Sequence, residues 1–189
     1  MKIEKTKLPG ILLITPDVFL DNRGYFFESY NLQKYTDVPD FIQDIESKSN
    51  KNVLRGLHYQ IPPFAQGKLI RVSSGKILDV MVDIRCDSST FGQYFSIELS
   101  EYNKKQVYIP PGFAHGFITI SNEAIIQYKC TNFYNKESER GIMWDDSDLA
   151  IDWNTTNPII SDKDKNHKRF KEIREEIKSF SSEKWKRKN

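Results

Sequence analysis

The sequence predicts an all-β protein, an antiparallel barrel or sandwich with a few short helices and one C-terminal helix. Three observations carry this prediction. Short segments with period-two alternation, rich in β-branched and aromatic residues, dominate from residue 11 to about 145. Turn-forming clusters separate many of them at near-even spacing, which suits an antiparallel sandwich or barrel. In the tail, Phe170, Ile173, Ile177 and Phe180 recur every three or four residues and so share one face of an amphipathic helix.

In chain order, the candidate strands cover residues 10–15, 25–30, 53–60, 68–73, 76–84, 94–99, 106–109, 116–121 and 124–133. The turns between them include Asp21-Asn22-Arg23-Gly24, Ser73-Ser74-Gly75, Ser88-Ser89-Thr90-Phe91-Gly92 and Ser121-Asn122-Glu123. A short helix is expected over 31–36. Before the C-terminal helix, Pro158 acts as a breaker and Ser161-Asp162 as a potential cap. The expected organisation is one domain over residues 1–164, with a basic amphipathic helix over 165–189 packed on that domain or on a partner subunit.

A chain of 189 residues fits a single domain, long enough to bury roughly 70% of the surface it would expose unfolded. The run Ile11-Leu12-Leu13-Ile14 is too short for a membrane span or secretory signal, so a cytoplasmic protein with no membrane partner is the default expectation. Cys86 and Cys130 are the two cysteines, and no CxxC pair occurs, which disfavours a disulfide framework or a zinc cage. The net charge of +2 gives no whole-chain bias towards nucleic acid, although residues 165–189 carry ten Lys/Arg against four Asp/Glu. Such a tail reads best as a solvated helix face.

The chemistry-bearing residues begin with His58, inside Val53-Leu54-Arg55-Gly56-Leu57-His58-Tyr59-Gln60, followed by Gln66-Gly67-Lys68. A metal-binding barrel needs three or four ligands. This chain has three histidines, of which His167 lies in the polar tail, and Gln60 stands where a second ligating His would be needed. No metal is therefore expected. Without one, His58 is a candidate acid or base, since its unperturbed pKa near 6.5 suits proton transfer at neutral pH once an aspartate fixes the tautomer. Lys68 could stabilise developing negative charge. Arg23 and Arg55 each precede a glycine and offer bidentate forks for phosphate oxygens, while Tyr25, Phe26 and Phe27 could stack on a base.

Together these residues carry a family resemblance. The segments Asp21-Asn22-Arg23-Gly24-Tyr25-Phe26-Phe27-Glu28, Leu54-Arg55-Gly56-Leu57-His58-Tyr59-Gln60, Gln66-Gly67-Lys68-Leu69 and Asp79-Val80-Met81-Val82-Asp83-Ile84-Arg85 are similar to those of the dTDP-4-dehydrorhamnose 3,5-epimerases. So are Ile109-Pro110-Pro111-Gly112-Phe113-Ala114-His115-Gly116-Phe117, Tyr128-Lys129-Cys130-Thr131-Asn132-Phe133-Tyr134, Trp144-Asp145-Asp146, Ile151-Asp152-Trp153 and Ser161-Asp162-Lys163-Asp164. The resemblance spans about residues 8 to 165 in one order.

The resemblance implies a cupin-like jelly roll, a homodimer and no cofactor. It implies that His58 removes the proton next to a C4 ketone, that Asp164 orients it, that Tyr128 delivers a proton from the opposite face and that Lys68 stabilises the enolate oxygen. Arg23 and Arg55 would hold the diphosphate of a nucleotide-linked sugar, and Phe26 with Glu28 would meet its base, from the same or the neighbouring subunit. Gln43, Ser47, Gln60, Asp79, His115 and Tyr134 would complete the substrate pocket. Ile45-Glu46 departs from the family pattern, which carries an Asn and a further polar residue there, and this bears on sugar or nucleotide contacts. Rival readings are a single-carbon epimerase, a 3,4-ketoisomerase, a non-catalytic sugar-nucleotide module and a metal-dependent oxygenase. Tyr128 favours inversion, because carbonyl migration needs no acid across the ring.

Overall fold

In the computed structural model, which describes residues 1–185, the strands are β1 (Lys2–Lys5), β2 (Leu12–Thr15), β3 (Phe19–Asp21), β4 (Gly24–Phe26), β5 (Gln43–Asn50), β6 (Leu54–Gln60), β7 (Lys68–Ser74), β8 (Lys76–Asp83), β9 (Tyr94–Ser100), β10 (Gln106–Ile109), β11 (Phe113–Thr119), β12 (Glu123–Cys130) and β13 (Glu139–Gly141). They form a six-stranded sheet in the order β1-β2-β10-β7-β12-β5, a five-stranded sheet in the order β13-β6-β11-β8-β9 and a separate β3–β4 hairpin. The strand pairs are antiparallel, as the alternating segments predict. Two helices close the described chain, α1 (Phe170–Ile177) and α2 (Ser182–Trp185).

The apolar side chains sort into three layers. Ile70, Val72, Ile77, Met81, Val107, Phe117 and Ile126 pack between the two large sheets. Val80, Val82, Ile84, Ala114 and Ile118 face the other side of the five-stranded sheet and are covered by Trp153, Phe170, Ile173, Ile177 and Trp185. Strand β8 is therefore buried on both faces, and it reads as a nearly unbroken apolar run interrupted by Asp79. A smaller cluster of Ile14, Tyr35, Leu69 and Tyr108 lies on the outer face of the six-stranded sheet.

The expected helix over 31–36 is absent. Asn31 instead accepts hydrogen bonds from the backbone N–H groups of Lys34 and Tyr35 in a turn that plants Tyr35 in the outer cluster. Six residues are too few to offset the cost of nucleating a helix in isolation. The strand expected over 25–30 ends at Phe26, because its partner β3 is three residues long. Strands β1, β3, β5 and β13 lie outside the candidate strands read from the sequence. In β5, Gln-Asp-Ile-Glu-Ser-Lys-Ser-Asn lacks apolar alternation because the strand forms a charged sheet edge.

The C-terminal amphipathic stripe buries Phe170, Ile173 and Ile177 as its spacing predicts. The start of α1 is satisfied by Asp146, whose Oδ2 accepts from the Phe170 N–H at 2.7 Å, rather than by Ser161-Asp162. Ser161 Oγ instead accepts from the Asp164 N–H at 3.1 Å, where the single 3₁₀ turn Asp164–Asn166 begins. Residues 186–189 of the basic tail lie outside the described residues.

Candidate active site

A cavity of about 280 Å³ is lined by strands of both large sheets. From the six-stranded sheet come Ser47 on β5, Lys68 on β7 and Tyr128 with Cys130 on β12. From the five-stranded sheet come Arg55, His58 and Gln60 on β6, His115 and Phe117 on β11, and Glu139 on β13. His58 and Tyr128 thus belong to opposing walls.

A bulge makes this wall possible. His115 pairs with His58 and Phe117 pairs with Arg55, so three steps along β6 answer two along β11. Strict alternation would send residues three apart to opposite faces. The extra residue restores Arg55 and His58 to the same side, and both line the cavity. Gly56 occupies the bulge with φ of +122°, and a Cβ there would sit 2.6 Å from the Gly116 Cα. Glycine is required by both conformation and space.

Behind His58, residues 159–168 run along the sheet edge. Val53 and Ile159 form a parallel bridge on one side, and Ile142 and Lys168 another. Between them Asp164 Oδ1 lies 2.7 Å from His58 Nε2, and Asp164 Oδ2 accepts from the Gly56 N–H at 3.1 Å. With Nε2–H donated to the carboxylate, Nδ1 is the nitrogen left to accept a proton. Burial lowers the His58 pKa, against the opposing pull of Asp164. Burial tends to raise Asp164, but hydrogen bonds from His167, His58 and Gly56 prevail and hold it well below the usual carboxylate range. The net lowering leaves the His58 imidazole uncharged at neutral pH.

On the facing wall, burial pushes the Tyr128 phenol upward, so it keeps its proton, and its hydroxyl lies 3.2 Å from Ser47 Oγ. Burial lowers the Lys68 pKa in turn. His115 Nε2 lies 2.6 Å from Asp79 Oδ1, forming a second histidine–carboxylate pair. Tyr134 donates to Glu139 Oε2 at 2.8 Å, and Gln43 Oε1 accepts from the Tyr134 N–H at 3.1 Å. Gln60 is committed to backbone partners: it accepts from the Asn135 N–H and donates to the Phe64 and Phe133 carbonyls. It shapes the rim.

Within one chain Arg23, Phe26 and Glu28 do not join this cavity. Arg23 and Phe26 lie on the exposed β3–β4 hairpin, where Arg23 Nη2 pairs with Asp21 Oδ2 at 2.6 Å, and Glu28 pairs with Lys34 just beyond. Tyr59, Gln66, Phe117, Cys130 and Glu139 line the cavity without an assigned role from the sequence, and Ile45, where the sequence departs from the family pattern, lines it as well. His167 was missed too. It lies 3.2 Å from Asp164 Oδ1, and the potential ligand atoms of His58, Asp164 and His167 fall within 4.8 Å of one another. Among the described residues they are the one group of three side chains that could meet a cation, although hydrogen bonds link them here.

The comparisons with known proteins agree with this geometry. The family model described as dTDP-4-dehydrorhamnose 3,5-epimerase matches residues 5–172. The enzyme of that name from Shigella flexneri is 49% identical over 174 residues, covering 90% of this chain and 96% of the relative. The crystal structure of the Elizabethkingia anophelis enzyme superposes with a TM-score of 0.87 at 49% identity, covering 91% of this chain and 97% of the other. The Legionella pneumophila epimerase, solved in complex with dTDP-4-keto-L-rhamnose, superposes with a TM-score of 0.86 at 40% identity over 100% and 98% of the two chains. The fold is the cupin-like jelly roll of these relatives, and the chain is an isomerase belonging to the dTDP-4-dehydrorhamnose 3,5-epimerase family.

Proposed function

We propose that the protein epimerises a dTDP-linked 4-keto-6-deoxy sugar of the dTDP-4-dehydro-6-deoxyglucose type, in the cytoplasm, on the route to a deoxysugar for a surface polysaccharide. The observation that carries the mechanism is the placement of His58 and Tyr128 on opposing walls of one cavity. A sugar ring lying between them meets a base on one face and an acid on the other.

His58 Nδ1 takes the proton alpha to the C4 ketone, and the electrons of that C–H bond move onto the carbonyl oxygen as an enolate. Lys68 stabilises the enolate as it forms. Asp164 holds the imidazolium that this leaves on His58. Tyr128 then protonates the same carbon from the opposite face, and exchange with solvent returns a proton to Tyr128 and removes the one on His58. Base and acid on opposite faces turn enolisation into inversion; on one face they would return the original configuration. The reaction is redox-neutral, so the mechanism calls on no redox cofactor.

Arg55 sits at the cavity with its Nε donating to Ser49 Oγ at 2.9 Å, suitably placed for a diphosphate. Arg23, Phe26 and Glu28 fit the nucleotide end best when a second copy of the chain supplies them. The hairpin exposes Phe19, Leu20, Tyr25 and Phe26, an apolar surface suited to a homodimer.

The test is solvent-deuterium incorporation by NMR into dTDP-4-keto-6-deoxyglucose, with His58→Ala alongside. Exchange at C3 and C5 that the variant abolishes is the expected result. Exchange at one carbon would make this a mono-epimerase, and exchange at neither carbon would overturn the reading.

A further inference from the structure

We infer that His167 is a positioning residue for the catalytic base: it fixes the Asp164 carboxylate against the His58 ring. The inference rests on the reading of His58 as the base. Asp164 Oδ1 meets His58 Nε2 at 2.7 Å and His167 Nε2 at 3.2 Å, while Oδ2 takes the Gly56 N–H. A carboxylate oxygen has two lone pairs, and here two imidazoles use them. The carboxylate is thereby held from three sides and left with one orientation.

His167 is itself held from several directions. It follows Asp164 by three residues across a 3₁₀ turn, where side chains at i and i+3 eclipse. Its ring meets the His58 ring edge-on, with centroids 5.5 Å apart at 85°. The backbone beside it is pinned where the Met143 N–H donates to the Lys168 carbonyl at 3.0 Å. Gly141, the cross-strand partner of His58, leaves the space its ring occupies: a Cβ there would lie 2.3 Å from Cε1 and Nε2 of His167. With its side chain 10% exposed, His167 touches the carboxylate from behind, away from the cavity.

Two consequences follow. Fixing Asp164 fixes the rotation of the His58 ring, so that Nδ1 points where the substrate carbon must lie. Sharing Oδ1 also divides the carboxylate's pull between two imidazoles, which keeps His58 less basic than an undivided pair would. The other charged groups acting on His58 are Lys68 on β7 and Glu139 on β13, with Lys163 paired to Glu139.

The deciding contrast is His167→Gln against His167→Asn. A Gln places an N–H near the position of the histidine Nε2, whereas an Asn is too short to do so. Steady-state kinetics across the neutral pH range would be read with thermal unfolding as a control. An independent ¹⁵N NMR titration of the His58 ring in the substrate-free protein needs no turnover. The Asn variant should lower kcat about ten- to a hundredfold with KM little changed, as expected for a misplaced catalytic group. It should also raise the titration midpoint of His58. The Gln variant should recover most of both, and Gly141→Ala, which displaces the ring, should resemble Asn.

Equal losses in Gln and Asn, or no loss in either, would overturn the inference. So would a wild-type activity that a chelator removes and zinc restores, since His167 would then be a metal ligand. If the wild type shows no exchange at all, the proposed function fails, and the ring titration still decides the role of His167.

Discussion

His58–Asp164 and His115–Asp79 are two histidine–carboxylate pairs set side by side, because His58 and His115 are cross-strand partners on β6 and β11. Their contacts are alike, at 2.7 and 2.6 Å. Their surroundings differ. The His58 side chain is 29% exposed and opens on the cavity, whereas that of His115 is 6% exposed and Asp79 is fully buried. Asp164 receives donors on both oxygens, whereas Asp79 Oδ2 has no hydrogen-bond partner among the described residues. Hydrogen-bond geometry alone does not make a catalytic base. On the proposed mechanism, access to the substrate and a carboxylate with donors on both oxygens separate the base's pair from one that holds up the wall.

The sharpest way to break the comparison is to remove each histidine in turn. His58→Ala should lower solvent exchange into the substrate about a thousandfold, within the usual range for a general base. His115→Ala should retain far more activity; equal losses would erase the distinction. Removing the carboxylates inverts the ranking for stability. Asp79→Ala strips the partner from a deeply buried pair and should cost about 3–5 kcal/mol in denaturant unfolding. Asp164→Asn, which keeps the volume and lies nearer the surface, should cost less stability and more rate.

A smaller effect should come from the far end of the substrate. Arg23→Ala should raise KM about tenfold while leaving kcat nearly intact, as expected when uniform binding is lost. A change confined to kcat would place Arg23 at the chemistry instead. The smallest effect is in the pH profile. Because burial lowers the His58 pKa, the free base persists below the ordinary histidine value of 6.5, and kcat/KM should fall only at still lower pH. An acid limb above 6.5 would mean that the Asp164 attraction outweighs burial.

Much of this was legible in the sequence because local patterns and global fold agree. Alternating segments such as β12 and the apolar run of β8 became central strands, and Phe170, Ile173 and Ile177 became the buried stripe of α1. His58, Lys68, Tyr128 and Asp164 could be singled out because each stands in a recognisable segment, although the distance from His58 to Asp164 along the chain hides their contact. What stayed hidden has physical reasons. Strand β5 is polar on both faces, so no hydrophobic period marks it. His167 sits in a charged run whose composition resembles a solvated tail, and only the 3₁₀ turn and the gap left by Gly141 bring it to Asp164. The hairpin carrying Arg23 was legible as a turn, but its separation from the cavity within one chain emerges only in three dimensions.

The central claim is that base and acid act from opposing walls, and Tyr128→Phe tests it most directly. The substrate would be incubated with this variant in deuterium oxide and both exchange and configuration followed by NMR. The account predicts that His58 still exchanges the proton alpha to the ketone while inversion is largely lost. Inversion at the wild-type rate in Tyr128→Phe would contradict it.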